Sequence, residues 1–139
     1  MSKIDIGGDG ASSVPLSALK AQQARMQVIA ENLANADSTS QTPGGQPYRR
    51  QVPVFEVVQT DGGQGVRMKG VQPDMSPFGK VYAPGNLAAD KAGYLLTPNV
   101  NGLFEALDMK AAMRAYEANI TVLENQDAME KSTLSLLKR

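Results

Sequence analysis

The 139 residues include no histidine and no cysteine, so 14 acidic and 14 basic side chains are the main stock of groups that could do chemistry. Without histidine the chain lacks the usual general base at neutral pH and the commonest metal ligand. Without cysteine it has no thiol nucleophile, disulfide framework or thiolate metal site. A Ser-His-Asp triad and an imidazole or thiolate zinc site are both excluded. What remains is carboxylate or lysine chemistry. The acidic residues near the C-terminus, Glu105, Asp108, Glu117, Glu124, Asp127 and Glu130, have no Glu-x-x-His partner and read as a solvated helix face. A transglycosylase-like use of Glu31 or Glu56 is the one enzymatic reading left, and no pocket-forming core accompanies it. Gly7-Gly8-Asp9-Gly10 lacks the Lys-Ser/Thr ending and preceding strand of a phosphate loop and reads as part of a flexible tail. Asn119-Ile120-Thr121 is a glycosylation sequon in mid-helix, an accidental match. The chain therefore reads as a non-enzyme with no cofactor and no metal.

Charge points the same way. The formal net charge is zero, and a nucleic-acid binder would carry a basic patch. The pair Arg49-Arg50 reads as solvated loop charge. No run of about 18 apolar residues exists to span a membrane. Residues 1–13 are polar and glycine-rich, with no apolar core of a secretory signal. The expectation is no nucleic acid, no direct membrane insertion and no cleaved signal peptide.

The elements that would position any site are helical at both ends and irregular between. Residues 1–12 read as flexible, Ser13 as an N-cap and Pro15 as first-turn proline of a helix over 13–36. Residues 39–46 form a polar loop. Tyr48–Val58 alternates as a strand that Pro53 confines to an edge or bulges, Asp61-Gly62-Gly63 is a turn, and Val66–Val71 is a weaker strand. From Pro73 to Pro98 turn formers dominate, with Tyr82 and Tyr94 in short extended pieces. Asn101 or Gly102 starts a second helix that runs over 101–139 without internal proline or glycine after its start. The fold class is mainly α with a small irregular β segment over 37–100, in a single subunit spanning 1–139.

Each helix carries a stripe. Leu19, Gln22, Met26, Ile29, Leu33 and Ala36 follow a 3-4-3-4-3 spacing, and so do Ala106, Met109, Met113, Tyr116, Ile120 and Leu123. Such a stripe lies against another helix. It serves either an intramolecular core or a seam between subunits. The unequal helix lengths favour assembly, since the shorter cannot cover the longer. Near the end of the first helix, Asn32 and Asn35 are poor helix formers. They either cap the helix or form a polar lock that sets register against a neighbouring helix. The residues read as subunit packing are Leu19, Met26, Ile29, Asn32, Leu33, Asn35, Met113, Tyr116, Ile120 and Leu123.

At these residues the chain resembles a known family. Ala30-Glu31-Asn32-Leu33-Ala34-Asn35-Ala36-Asp37-Ser38 is similar to the N-terminal signature of bacterial flagellar rod and hook proteins. Pro47-Tyr48-Arg49-Arg50, Val81-Tyr82-Ala83-Pro84-Gly85-Asn86, Ala89-Asp90, Gly93-Tyr94, Pro98-Asn99-Val100-Asn101 and Arg114-Ala115-Tyr116-Glu117-Ala118-Asn119 narrow the likeness to the proximal rod branch. It covers nearly the whole chain, from about Ser17 to Leu137. The resemblance implies a structural subunit whose end helices pair as an antiparallel coiled coil, the D0-type axial domain, around a central channel. The segment between them would face outward. Its partners would be copies of itself, other rod proteins, the rod–MS-ring adaptor protein and the flagellar type III export apparatus. Its place would be the periplasmic rod, reached from the cytoplasm without a cleaved signal. The competing reading is a secreted or periplasmic helical adaptor that forms a discrete complex and no polymer.

Overall fold

The computed structural model describes residues 8–139, with side chains from Ser13 onward. Two long helices, α1 (Gly8–Ala34) and α2 (Gly102–Leu137), are in contact, and four strands lie between them in sequence: β1 (Gln51–Thr60), β2 (Gly63–Pro73), β3 (Gly79–Tyr82) and β4 (Tyr94–Thr97). They pair as two separate two-stranded sheets, β1-β2 and β3-β4. The chain divides into two compact units, each assembled from three or two separate stretches.

The first unit takes the α1 residues up to Arg25, the hairpin segment Phe55–Lys69 and the stretch from Ala111 onward. A two-residue link between β1 and β2 leaves only a hairpin as their connection. The helix meets this hairpin along a row of small side chains, because small residues let backbones approach. Ser17 Oγ accepts a hydrogen bond from Val66 N at 3.1 Å and donates to Val14 O at 2.7 Å. A Cβ at Gly65 would lie 2.5 Å from that hydroxyl, so only glycine fits the approach. Ala21 and Ala112 are buried. Ser13 does not cap the helix. α1 starts at Gly8, and Ser13 Oγ instead accepts from Gly62 N at 3.0 Å and donates to Thr60 Oγ1 at 3.1 Å, bracing the hairpin turn. Pro15 accordingly sits inside the helix and not in its first turn. Of the stretch read as a flexible tail, residues 1–7 lie outside the described residues, and Gly8 onward is helical.

The second unit comprises Met26–Val54 and Gly70–Lys110. Val28, Ile29, Ala88 and Leu95 are buried in it. β3 and β4 run antiparallel, with Gly79 opposite Thr97 and Tyr82 opposite Tyr94. The Tyr82 and Tyr94 rings meet edge to face at 5.4 Å. The turn between them closes through Ala83 N to Gly93 O at 2.8 Å, and Gly93 takes a φ of 86° that side-chain-bearing residues rarely adopt. Of Asn101 and Gly102, the two caps open in the sequence, Asn101 is the one that caps α2: its Oδ1 accepts from Leu103 N at 3.0 Å and Phe104 N at 3.3 Å. Among the described residues, no helix is long and apolar enough to cross a membrane.

Candidate functional site

The second unit is organised around Asn32. Its side chain is fully buried, and its amide uses its whole hydrogen-bonding capacity. Oδ1 accepts from Gln51 N at 2.9 Å and from the Tyr48 hydroxyl at 2.8 Å. Nδ2 donates to Gln51 O at 2.8 Å and to Glu105 Oε2 at 3.4 Å. At Gln51, where β1 begins, the Asn32 amide pairs with both backbone groups as a neighbouring strand would. One side chain thereby ties the last turns of α1 to the start of β1 and to the first turns of α2.

Glu105 continues the network. It is 1% exposed, and its other carboxylate oxygen accepts from Arg50 Nε. Arg50 also reaches Asp74 Oδ2 at 3.3 Å, and its backbone N–H donates to Asn99 Oδ1 at 2.8 Å. Asn99 Nδ2 donates to Asp74 O at 2.9 Å and to Ser76. Arg49 donates to the same two carbonyls and lies over the Phe78 ring at 4.1 Å. A buried charge persists only when paired and hydrogen-bonded, and Glu105 has both. Two readings from sequence are corrected here. Glu105 does not belong to a solvated face, and Arg50 is not free loop charge; each is held because the other is there.

Electrostatics follow the geometry. Burial raises the Tyr48 phenol above its ordinary value, helped by the charges of Glu31 and Glu105. Burial alone would lower the Arg50 guanidinium; its bonds to Glu105 and Asp74 outweigh that and raise it. The backbone N–H of Ser76, then its side chain, hold the Asp74 carboxyl below the ordinary range, with Arg50 adding to the effect. A depressed carboxyl stabilises the fold above its unfolded value, about 3.9, and loses that contribution as pH falls through the lower folded value. The unfolding midpoint of the chain is therefore expected to drop once pH passes below about 4. Asp74→Asn should flatten that part of the acid limb, read by denaturant titration across pH.

This arrangement holds chain segments together and does not turn over a substrate. Its one buried carboxylate is sealed between an arginine and an amide, with no lining left for a reacting group. Asn35 acts separately, as a terminator. Its Nδ2 donates to Glu31 O at 2.9 Å, and its Oδ1 accepts from Ser38 Oγ at 3.1 Å.

The other packing residues fall into groups. In the single chain Leu19 and Ile29 are buried, Met26, Leu33, Tyr116, Ile120 and Leu123 are half-buried, and Met113 is exposed. The covered line of α2 passes through Glu105, Met109, Ala112, Tyr116, Asn119, Leu123 and Gln126. It is rotated from the expected stripe: Glu105 replaces Ala106 and Ala112 replaces Met113. Leu103, Phe104 and Leu107 are exposed at the start of α2, and every residue over 127–139 is exposed, including Met129, Leu134, Leu136 and Leu137. The most exposed apolar residues of α2 thus form two groups, one at each end of the helix.

Residues 14–40 match the model for flagella basal body rod protein, and residues 91–136 match that for the C-terminal part of flagellar basal body rod FlgEFG protein. The chain is 42% identical to the flagellar basal-body rod protein FlgC of Agrobacterium fabrum, covering 92% of this chain and 94% of that one. It is 39% identical to the FlgC of Borreliella burgdorferi over 91% of this chain and 95% of that one. Against the FlgC of Salmonella typhimurium it is 44% identical, over 86% and 90% of the two chains. With identity at this level over nearly the full length, the chain belongs to the FlgC family of flagellar basal-body rod proteins.

Proposed function

We propose that this chain is a structural subunit of the flagellar basal-body rod. It polymerises with copies of itself and with other rod subunits into a hollow shaft that spans the periplasm, transmits torque and encloses the export channel. The rod–MS-ring adaptor protein and the type III export apparatus complete its partners, and it leaves the cytoplasm without a cleaved signal peptide.

The observation that carries this reading is the end of α2, an apolar-bearing stretch of helix exposed at every position over 127–137. A helix end of that length has little stability in water by itself. Fixing it costs about 1–2 kcal/mol per residue, an entropy that neighbouring subunits offset by covering Met129, Leu134, Leu136 and Leu137. The locked second unit supplies the rigid part, and the uncovered helix supplies the part that orders on assembly.

Sedimentation of concentrated chain, followed by electron microscopy, should show tubular or filamentous material; a discrete complex of fixed stoichiometry would favour an adaptor instead. Hydrogen exchange adds the residue-level expectation. Amides over 127–137 should exchange rapidly in the dilute chain and slowly after assembly, while those of Ile29–Asn32 stay protected in both. Full protection of the α2 end in the dilute chain would sink the coupling of order to assembly.

A further inference from the structure

Leu87, at 88%, is the most exposed of the large apolar side chains described. The loop that carries it is nonetheless fixed. Asn86 N donates to Ala83 O at 3.0 Å, Ala89 N donates to Asn86 O at 3.1 Å, and Asn86 Oδ1 accepts from Ala88 N at 2.9 Å. Asp90 Oδ1 accepts from Ala92 N and Tyr94 N, both at 2.9 Å. Ala88, next in sequence, is buried. The fold thus holds a leucine outward on a cross-braced turn, preorganised for a contact it does not make within its own chain.

The first unit contains the matching hollow. Between α1 and the β1-β2 hairpin lies a mainly apolar cavity of about 310 Å³, lined by Ala21, Ala24, Val58, Val66 and Met68, with Ser17, Lys20 and Arg67 completing it. A cavity of about 150 Å³ accommodates a benzene-sized group, so this one admits a leucine side chain with part of its turn. The charges agree as well: Lys20 and Asp90 are exposed, and neither is in an ion pair among the described residues.

We infer that the Leu87 turn of one copy seats in the α1–hairpin cavity of the next copy, with Asp90 facing Lys20. Because knob and hollow are different patches of the same chain, the contact is heterologous and repeats along a helical array, where a self-complementary patch would close as a dimer. The inference rests on the rod reading and adds a specific contact to it.

The absence of native cysteine makes the test direct. A chain carrying Leu87→Cys and Ala24→Cys replaces the native copy in the cell it comes from, and isolated basal bodies are oxidised. The expected result is covalent dimers and a higher ladder, with monomer only from either single variant. Leu87→Asp should fold as the native chain does and lose at least tenfold in incorporation into basal bodies. Basal bodies that contain the double variant but yield no ladder overturn the inference and leave the rod reading standing. A ladder from Leu134→Cys with Ala24→Cys instead would overturn it by placing the end of α2 in the cavity. Absence of the native chain from basal bodies would remove the rod reading and this inference together.

Discussion

Arg50→Met is expected to destabilise the chain by about 3 kcal/mol, at the low end of what breaking a buried ion pair costs because the arginine side chain is 26% exposed. The cost falls on the partner left behind. Glu105 is 1% exposed and keeps only the 3.4 Å bond from Asn32 once Arg50 is gone. Asp74 loses a contact too, but it is open to water and retains Ser76. The double variant Arg50→Met/Glu105→Gln should recover part of the loss, because a neutral amide still accepts from Asn32 and carries no charge to desolvate, while its buried N–H groups lack an acceptor. Urea unfolding of the two single variants and the double variant gives the coupling directly. A loss under about 1 kcal/mol for Arg50→Met would mean that solvent reaches Glu105 and that the pair is not a structural clamp. Within basal bodies the same variant should be under-represented, since the unit that holds the helix ends together would be partly open.

The long helices were legible in the sequence because their signals are local and periodic. The expected 13–36 and 101–139 became Gly8–Ala34 and Gly102–Leu137, and of the two caps the sequence leaves open, Asn101 and Gly102, the structure takes Asn101. The strands shifted more: Tyr48–Val58 became Gln51–Thr60, and Val66–Val71 grew to Gly63–Pro73. Tyr48 stays out of the strand because its N–H goes to Ser38 O at 2.9 Å and its hydroxyl to Asn32. Two things were hidden. One was the second covered face of α1, the row Ser17, Ala21, Ala24, Val28 and Asn32, which carries small residues where a search for large apolar ones sees nothing. The other was the lock itself. Arg50 and Glu105 are 55 positions apart, and each alone looks like surface charge; only the fold makes them a pair. Within the chain the Asn32 amide meets mainly the start of a strand, and α2 is reached only through Glu105. A signal was present in α2: Glu105 shares the 3-4 spacing of Met109, Ala112 and Tyr116, which a solvated face would not require.

Asn32→Ala should cost a comparable amount, about 3 kcal/mol, and for a different reason. The substitution removes a side chain that meets its partners at four points, stranding the buried Glu105 and the half-buried Gln51 and Tyr48. Gln51 loses a partner for both its N–H and its carbonyl, and Glu105 is left with Arg50 alone. An unsatisfied buried polar group costs about 1–3 kcal/mol, and the loss grows with the number of groups stranded. Tyr48→Phe provides the internal scale. It removes one donor to Asn32 Oδ1 while Gln51 N–H remains, so it should cost only about 1 kcal/mol. It should also change the alkaline behaviour. The folded phenol titrates above its ordinary value, so its contribution is complete below about pH 10 and is lost as pH rises through the raised value. Tyr48→Phe should remove that part of the alkaline limb, and Asn32→Ala should reduce it by releasing the ring to solvent. If Asn32→Ala cost no more than Tyr48→Phe, water would have to be replacing the Gln51 pairing. The joint between α1 and β1 would then be a wet contact and not a direct tie through Asn32.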